Sequence, residues 1–253
     1  MEFKQITLEN IDSEHICCCI SDKKGENCVA SKKAWMKERI KEGLVFYKLD
    51  VRGKVFIEYL SAERAWAPVE AEGYMYIDCF WVSGKYKGQG ISNLLLEQCI
   101  ADSKAKGKKG LVCLSSKKKM PFLSDPAYLK YKGFQTADTA APFFELLYLP
   151  FEKDAEVPKF RETAKHGHTE EMGIVLYYSN QCPHTEKYAP VFMSVLEQEG
   201  LPCSVHKIET TEEAQNAPTP CTSYSLFYNG NFITNEILSE KKAQKIAKEL
   251  VKS

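Results

Sequence analysis

Residues Tyr74-Met75-Tyr76-Ile77-Asp78-Cys79-Phe80-Trp81-Val82 form an almost unbroken apolar and aromatic run. Such a run predicts a strand buried on both faces, at the centre of a sheet. It ends in Ser83-Gly84-Lys85-Tyr86-Lys87-Gly88-Gln89-Gly90, a basic turn carrying glycines. Ile91, Leu94, Leu95, Cys99 and Ile100 then recur at helical spacing, and Lys104, Lys106 and Gly107 supply a cationic last turn and a C-terminal glycine. Residues 111–115 form the next apolar run. Strand, glycine turn, helix and strand constrain this part of the chain to an α/β or α+β fold.

The flanking sequence fills in the rest. Ser31 is positioned to start a helix carrying Trp35, Met36 and Ile40 that closes near Gly43, and Asp12-Ser13 to cap a shorter one. Residues 44–49 and 55–59 predict an antiparallel pair, and residues 134–151 two more strands. A polar stretch, 152–172, reads as a linker. After it come a strand at 174–178, a helix at 182–199, a strand at 203–208, a hairpin over 224–233 turning at Asn229-Gly230, and a helix at 240–251. A chain of 253 residues accommodates two domains of this kind. The expected division is 1–151, linker 152–172, and 173–253.

Composition limits the function. Thirty-four basic and 34 acidic residues leave no net positive field to attract nucleic acid or an anionic membrane. No window approaches the roughly 18 apolar residues that span a bilayer. The first residues lack the basic and apolar regions of a secretory signal, so a cytoplasmic protein is expected. Its ten cysteines are then reduced, and they form no array at zinc spacing, so no metal is expected.

The glycine turn carries the clearest chemistry. Gly88 and Gly90 let backbone N–H groups converge at the start of a helix, and Lys85 and Lys87 add charge, which makes an anion site for a phosphate or pyrophosphate. The P-loop pattern fails for want of Gly-Lys-Ser/Thr, and the dinucleotide fingerprint for want of a third glycine. What Lys85-Tyr86-Lys87-Gly88-Gln89-Gly90 does resemble is the coenzyme A loop of the GNAT-superfamily N-acetyltransferases, Arg/Gln-x-x-Gly-x-Gly/Ala, with the usual valine at Val82. Lysine at the first position departs from that pattern but keeps its charge. Lys132-Gly133-Phe134 and the strand at 143–151 follow in the order the family expects.

The resemblance implies acetyl-CoA as cosubstrate, its pyrophosphate on the N–H groups of Lys87, Gly88, Gln89, Gly90, Ile91 and Ser92 near Lys85. The pantetheine arm would run along Phe80, Trp81 and Val82. Asp78 is the implied general base, since a carboxylate inside an apolar strand asks for a reason; the alternative is a carboxylate held by nearby backbone. The family's acid tyrosine falls on Leu129, flanked by the candidates Tyr128 and Tyr131.

The second half, with Asn180-Gln181-Cys182-Pro183-His184-Thr185 after a strand and Pro190 in the helix, resembles a thioredoxin-like segment. Thr185 replaces the resolving cysteine, and Thr222 stands where that fold has its cis-proline. Cys182, at a helix start, is expected to gain thiolate character. Cys182 and Cys221 are the candidate thiol site. Cys17, Cys18 and Cys19 are expected to be apolar filler in a first helix. The whole chain resembles the YoaP-like acetyltransferases, with a GNAT mixed sheet and flanking helices followed by a smaller thioredoxin-like α/β domain. The implied activity is acetyl transfer from acetyl-CoA to a primary amine of a small molecule, amino acid or short peptide, directly through a ternary complex. The alternative is a coenzyme A-binding or thiol-redox protein using Cys182. Expected partners are the amine substrate alone, with no nucleic acid and no membrane, in a monomer or homodimer.

Overall fold

The structure, a computed structural model, describes residues 1–16, 18 and 27–250. Thirteen strands and six α-helices follow one another in that span. They are β1 (Phe3–Ile6), α1 (Cys28–Lys41), β2 (Val45–Leu49), β3 (Val55–Ser61), β4 (Val69–Glu70), β5 (Tyr74–Val82), α2 (Ile91–Ala105), β6 (Gly110–Ser116), α3 (Pro126–Tyr131), β7 (Gln135–Ala140) and β8 (Phe144–Pro150). Beyond these lie β9 (Lys159–Phe160), β10 (Ile174–Ser179), α4 (Thr185–Gln198), β11 (Cys203–Ile208), α5 (Thr211–Gln215), β12 (Tyr224–Tyr228), β13 (Asn231–Thr234) and α6 (Glu240–Leu250).

Seven strands form a mixed sheet in the order β1-β2-β3-β5-β6-β8-β7. β5 lies at its centre, where the apolar run predicts it, antiparallel to β3 and parallel to β6. α2 lays Ile91, Leu95, Leu96 and Cys99 on one face, against Ile57, Met75, Ile77, Leu111 and Leu147. The other face buries Phe46, Phe56, Tyr74, Tyr76 and Phe144 with Trp35 and Met36 of α1. A second sheet runs β11-β10-β12-β13, with β10 and β11 parallel and joined by α4. Its hairpin turns at Asn229 (φ 46°) and Gly230 (φ 80°), the paired positive values that an Asn-Gly turn of this kind requires.

Local chemistry moves several expected boundaries. α1 begins at Cys28, three residues before Ser31. Residues around Asp12 and Ser13 form turns, with Ser13 N–H on the Asn10 carbonyl, instead of a helix. β1, mostly polar, gives no strand signal of its own and is paired by β2. α5 carries a complete capping box between Thr210 and Glu213.

The segment 152–172 is packed, not a loose tether. β9 pairs with β4, and Phe160 and Ala164 are fully buried. The two sheets meet through an aromatic chain: Phe232 of β13 contacts Phe144 at 5.5 Å, Phe143 at 5.9 Å and Phe227 at 5.6 Å between ring centroids. Ile208, Ala214, Ala217 and Cys221 join the same core as the large sheet. A cluster shared by both sheets predicts one unfolding event. Phe232→Ala is expected to cost about 2–3 kcal/mol and to lower a single calorimetric transition; two separate transitions would show independent melting.

Candidate active site

β5 and β6 hydrogen-bond only where Tyr74–Ile77 face Gly110–Cys113. Further on, β6 pairs with β8 and β5 with β3, so the two parallel strands part and residues 78–82 offer an open backbone edge. At the same point the β3–β5 register shifts: Glu58 faces Cys79 and Tyr59 faces Ile77, which leaves Asp78 as the extra residue of a bulge. A bulge breaks alternation and re-aims side chains. Asp78 and Cys79, although adjacent, therefore both reach the cavity that Tyr76 lines.

That cavity has a volume of about 170 Å³. Its floor is Lys54, Phe56 and Glu58 with Tyr76, Asp78, Cys79, Phe80 and Trp81 of β5, and its far wall is two loops of the second sheet, 181–184 and 220–223. The wall is tied down. Gln181 Nε2 donates to the Trp66 carbonyl at 3.2 Å and to Thr222 Oγ1 at 2.8 Å, and the Thr222 hydroxyl donates to the Trp66 carbonyl.

Three charges lie side by side in the floor. Lys32 and Glu58 are each 1% exposed, with Nζ 2.7 and 3.0 Å from the two carboxylate oxygens and 4.2 Å from the Trp35 ring centroid. Burial, the largest single influence, opposes the Lys32 charge, but Glu58 with Cys18 and Asp78 together outweigh it and hold the ammonium protonated. Burial pushes Glu58 above the ordinary carboxylate range against the pull of Lys32. Asp78 is pushed up to about 7, first by burial and then by the Glu58 charge, with Lys32 opposing. A carboxyl poised near neutrality accepts and returns a proton at physiological pH. Sequence reasoning missed Glu58 and Lys32. Glu58 carries the signal that singled out Asp78, a charge within an apolar strand; Lys32 carries none.

The glycine turn is open. Gly88 and Gly90 hold φ of 74° and 76°, and a Cβ at Gly84, Gly88 or Gly90 would meet nothing within 4 Å. Gly90 caps α2 with no side-chain acceptor, so the N–H groups of Ile91 and Ser92 at the helix start face outward. Gln89 Nε2 closes the turn on the Lys85 carbonyl at 2.6 Å, and Lys85 and Lys87 are exposed beside it. This exposed, cationic turn at a helix start fits a pyrophosphate, and the free edge at Phe80, Trp81 and Val82 fits an extended amide-bearing arm.

The tyrosine candidates separate. Tyr128 packs edge-on against Phe80 at 5.7 Å, its hydroxyl donating to Asn93 Oδ1 at 3.3 Å, and burial raises its pKa. Neither tyrosine lines the cavity, and Tyr131 is 83% exposed. Trp35 and Trp66 are core; Trp81, 45% exposed, lines the cavity.

Cys182 and Cys221 do line one cavity, together with Cys18 and Cys79, and none of the four is in a disulfide. The expected thiolate character of Cys182 does not hold. α4 begins three residues later, at Thr185, and burial pushes Cys182 up to about 11, overcoming the His184 N–H and the Lys32 charge. Burial likewise raises Cys79 and Cys221. Among the described residues no cluster of His, Cys, Asp or Glu is arranged to hold a metal. Cys17 and Cys19 lie outside the described residues, and Cys18 sits in a turn, not a helix. No helix among the described residues is long and apolar enough to cross a membrane.

Residues 11–121 match the acetyltransferase (GNAT) family, and residues 202–245 the family described as YoaP-like. The chain is 43% identical over 246 residues to the uncharacterized N-acetyltransferase YoaP of Bacillus subtilis (strain 168), covering 97% of this chain and 98% of that one. Among solved structures, an N-acetyltransferase from Staphylococcus aureus Mu50 is 16% identical with a TM-score of 0.40, over 60% of this chain and 98% of its own. The PaiA N-acetyltransferase of Thermoplasma acidophilum, solved with coenzyme A, is 15% identical with a TM-score of 0.40, over 60% of this chain and all (100%) of its own.

The buried ion pair has a stability consequence. Lys32→Met strands the Glu58 carboxylate without its counter-charge, at an expected cost of about 3–5 kcal/mol near pH 8. Protonation of Glu58 relieves the loss, so urea unfolding at pH 5 should show a smaller deficit. Equal deficits at both pH values would contradict the pairing.

Proposed function

Because the chain belongs to the GNAT acetyltransferases, in their YoaP-like group, we propose that it moves the acetyl group of acetyl-CoA to a primary amine of a small molecule, amino acid or short peptide, directly in a ternary complex. The observation that carries this reading is the coincidence, on one strand, of an open backbone edge and a carboxyl tuned to about 7. Acetyl-CoA supplies the acetyl group as a thioester. The turn from Lys85 to Ser92 holds its pyrophosphate through backbone N–H groups and lysine charge. The backbone of Phe80, Trp81 and Val82 hydrogen-bonds the pantetheine amides, and one N–H at Phe80 or its neighbour stabilises negative charge on the thioester oxygen.

Asp78 takes the proton that the amine nitrogen loses as its lone pair forms the new C–N bond. As the C–S bond breaks, the departing sulfur takes a proton from the Tyr128 hydroxyl, which burial keeps protonated. Tyr131, exposed to solvent, has no part in this scheme. Asp78 later returns its proton to solvent, and Tyr128 is reprotonated from it.

The second sheet belongs to the same reading. Its order β11-β10-β12-β13, with a parallel β10-α4-β11 unit followed by an antiparallel hairpin, supports a thioredoxin-like domain at 173–253, following a transferase domain at 1–151. Thiols held neutral by burial favour a wall over a redox centre, so the thiol-redox alternative is the weaker reading.

Two measurements test the base assignment. With an accepted amine, log kcat/KM should rise with pH and level off near pH 7, as Asp78 ionises. Asp78→Asn should remove that limb and lower kcat by about 10²–10⁴-fold. Linkage gives the second. A carboxyl raised from 3.8 to about 7 in the folded chain stabilises the fold below pH 4, and that contribution is lost as pH rises through 7. Asp78→Asn should therefore gain Tm over the wild type at pH 8 but not at pH 4. Unchanged turnover, or an unchanged pH limb, removes Asp78 from the role of base.

A further inference from the structure

Alternation along β3 puts Lys54, Phe56 and Glu58 on one face, and all three line the cavity. The floor is therefore graded, cationic at its mouth, aromatic in the middle and acidic at its inner end. Lys54 is the unbalanced member. Lys32 pairs with Glu58, whereas Lys54 has no carboxylate partner among the described residues. Its ammonium is 5.9 Å from the Trp81 ring centroid, and its charge reaches Cys182 and His184 in the opposite wall.

Spacing and volume limit what such a floor holds. Trp81 faces Phe56 across the strands and Cys79 faces Glu58. The Lys54 ammonium, over Trp81, thus lies about two residues, or about 7 Å, along the strand from the level of the bulge. That span matches an α-amino-acid headgroup hydrogen-bonded at both ends. The second wall, from Cys182 and Pro183 to Pro220 and Cys221, presents neutral thiols and prolines. A cavity of about 170 Å³ admits a compact apolar body; an apolar cavity on the order of 150 Å³ holds benzene. The two walls are pinned together at Trp66, which favours a single residue over a longer chain.

We propose that the acceptor is a single amino acid with a compact apolar side chain, its amine at Asp78, its carboxylate on Lys54, and its side chain against the wall supplied by the second sheet. This rests on the acetyltransferase reading above and narrows its substrate class. The C-terminal unit then determines specificity for the transfer, while the large sheet carries the chemistry.

The test compares amino acids with the amines lacking their carboxylate: L-phenylalanine with 2-phenylethylamine, and L-leucine with 3-methylbutylamine. The full-length protein should favour the amino acid in kcat/KM by about tenfold, as one partly exposed charge pair allows. Lys54→Met should raise the amino-acid KM by a similar factor, and Lys54→Arg should restore it. Equal use of acid and amine overturns the proposal. So does a Lys54→Met effect confined to the KM for acetyl-CoA, which would assign Lys54 to the coenzyme. Titration of tryptophan fluorescence in the wild type and in Trp81→Phe with the same amino acids, without acetyl-CoA, separates the two readings. Binding that is lost in Lys54→Met, in a protein with no transferase activity, supports the amino-acid site and removes the transferase reading. Transfer to other amines with no amino-acid binding removes this proposal alone.

Discussion

Two carboxyl groups and one ammonium, Glu58, Asp78 and Lys32, share a desolvated space between α1 and the central strands. One cation neutralises one anion at close range; it lacks the reach to neutralise both. Lys32 grips both oxygens of Glu58, which leaves Asp78 facing burial and a neighbouring negative charge with only a weak opposing pull. The rise of Asp78 to about 7 is the consequence, and it is a cost to the folded chain above that pH. That cost in stability is what the proposed role of Asp78 as proton acceptor would draw on.

The backbone makes this arrangement accessible. A regular β5 would alternate across the sheet, placing Asp78 and Cys79 on opposite faces. The bulge opposite Glu58 turns both toward the cavity, at the level where β5 and β6 lose contact. Side chain and open edge therefore meet at one place: the groups that would hold a thioester lie within the strand whose extra residue carries the carboxyl. Tyr128 arrives from the other side of the same strand, against Phe80.

Much of this is legible in the chain because strong local signals coincide. The apolar run at 74–82, the glycine turn after it and the Asn229-Gly230 hairpin each specify backbone with little help from elsewhere. Asp78 stands out by chemistry alone. The bulge does not, since nothing in a one-dimensional pattern marks which residue of a pair is extra. Lys32 is invisible as well, because on a helix rich in lysine only tertiary packing decides which one is buried. The choice between Tyr128 and Tyr131 depends on the short helix α3, where three residues separate a hydroxyl bonded to Asn93 from one in solvent. The polar composition of 152–172 hides the few contacts, Phe160 above all, that pack this segment into the core of the large sheet.

The cysteines show how one residue type reads differently once its surroundings are fixed. From sequence, Cys182 before a helix has the setting of a reactive thiolate. In the fold, the helix starts beyond it and a second wall of protein removes the water that would stabilise its charge. The same enclosure that silences the thiol raises the carboxyl opposite, because desolvation acts against any buried charge that is not paired. A cavity closed by the second sheet thus produces both effects together, a neutral thiol wall and a proton acceptor near pH 7. Opening that wall would reverse both, so the C-terminal unit belongs to the electrostatics of the site as much as to its shape.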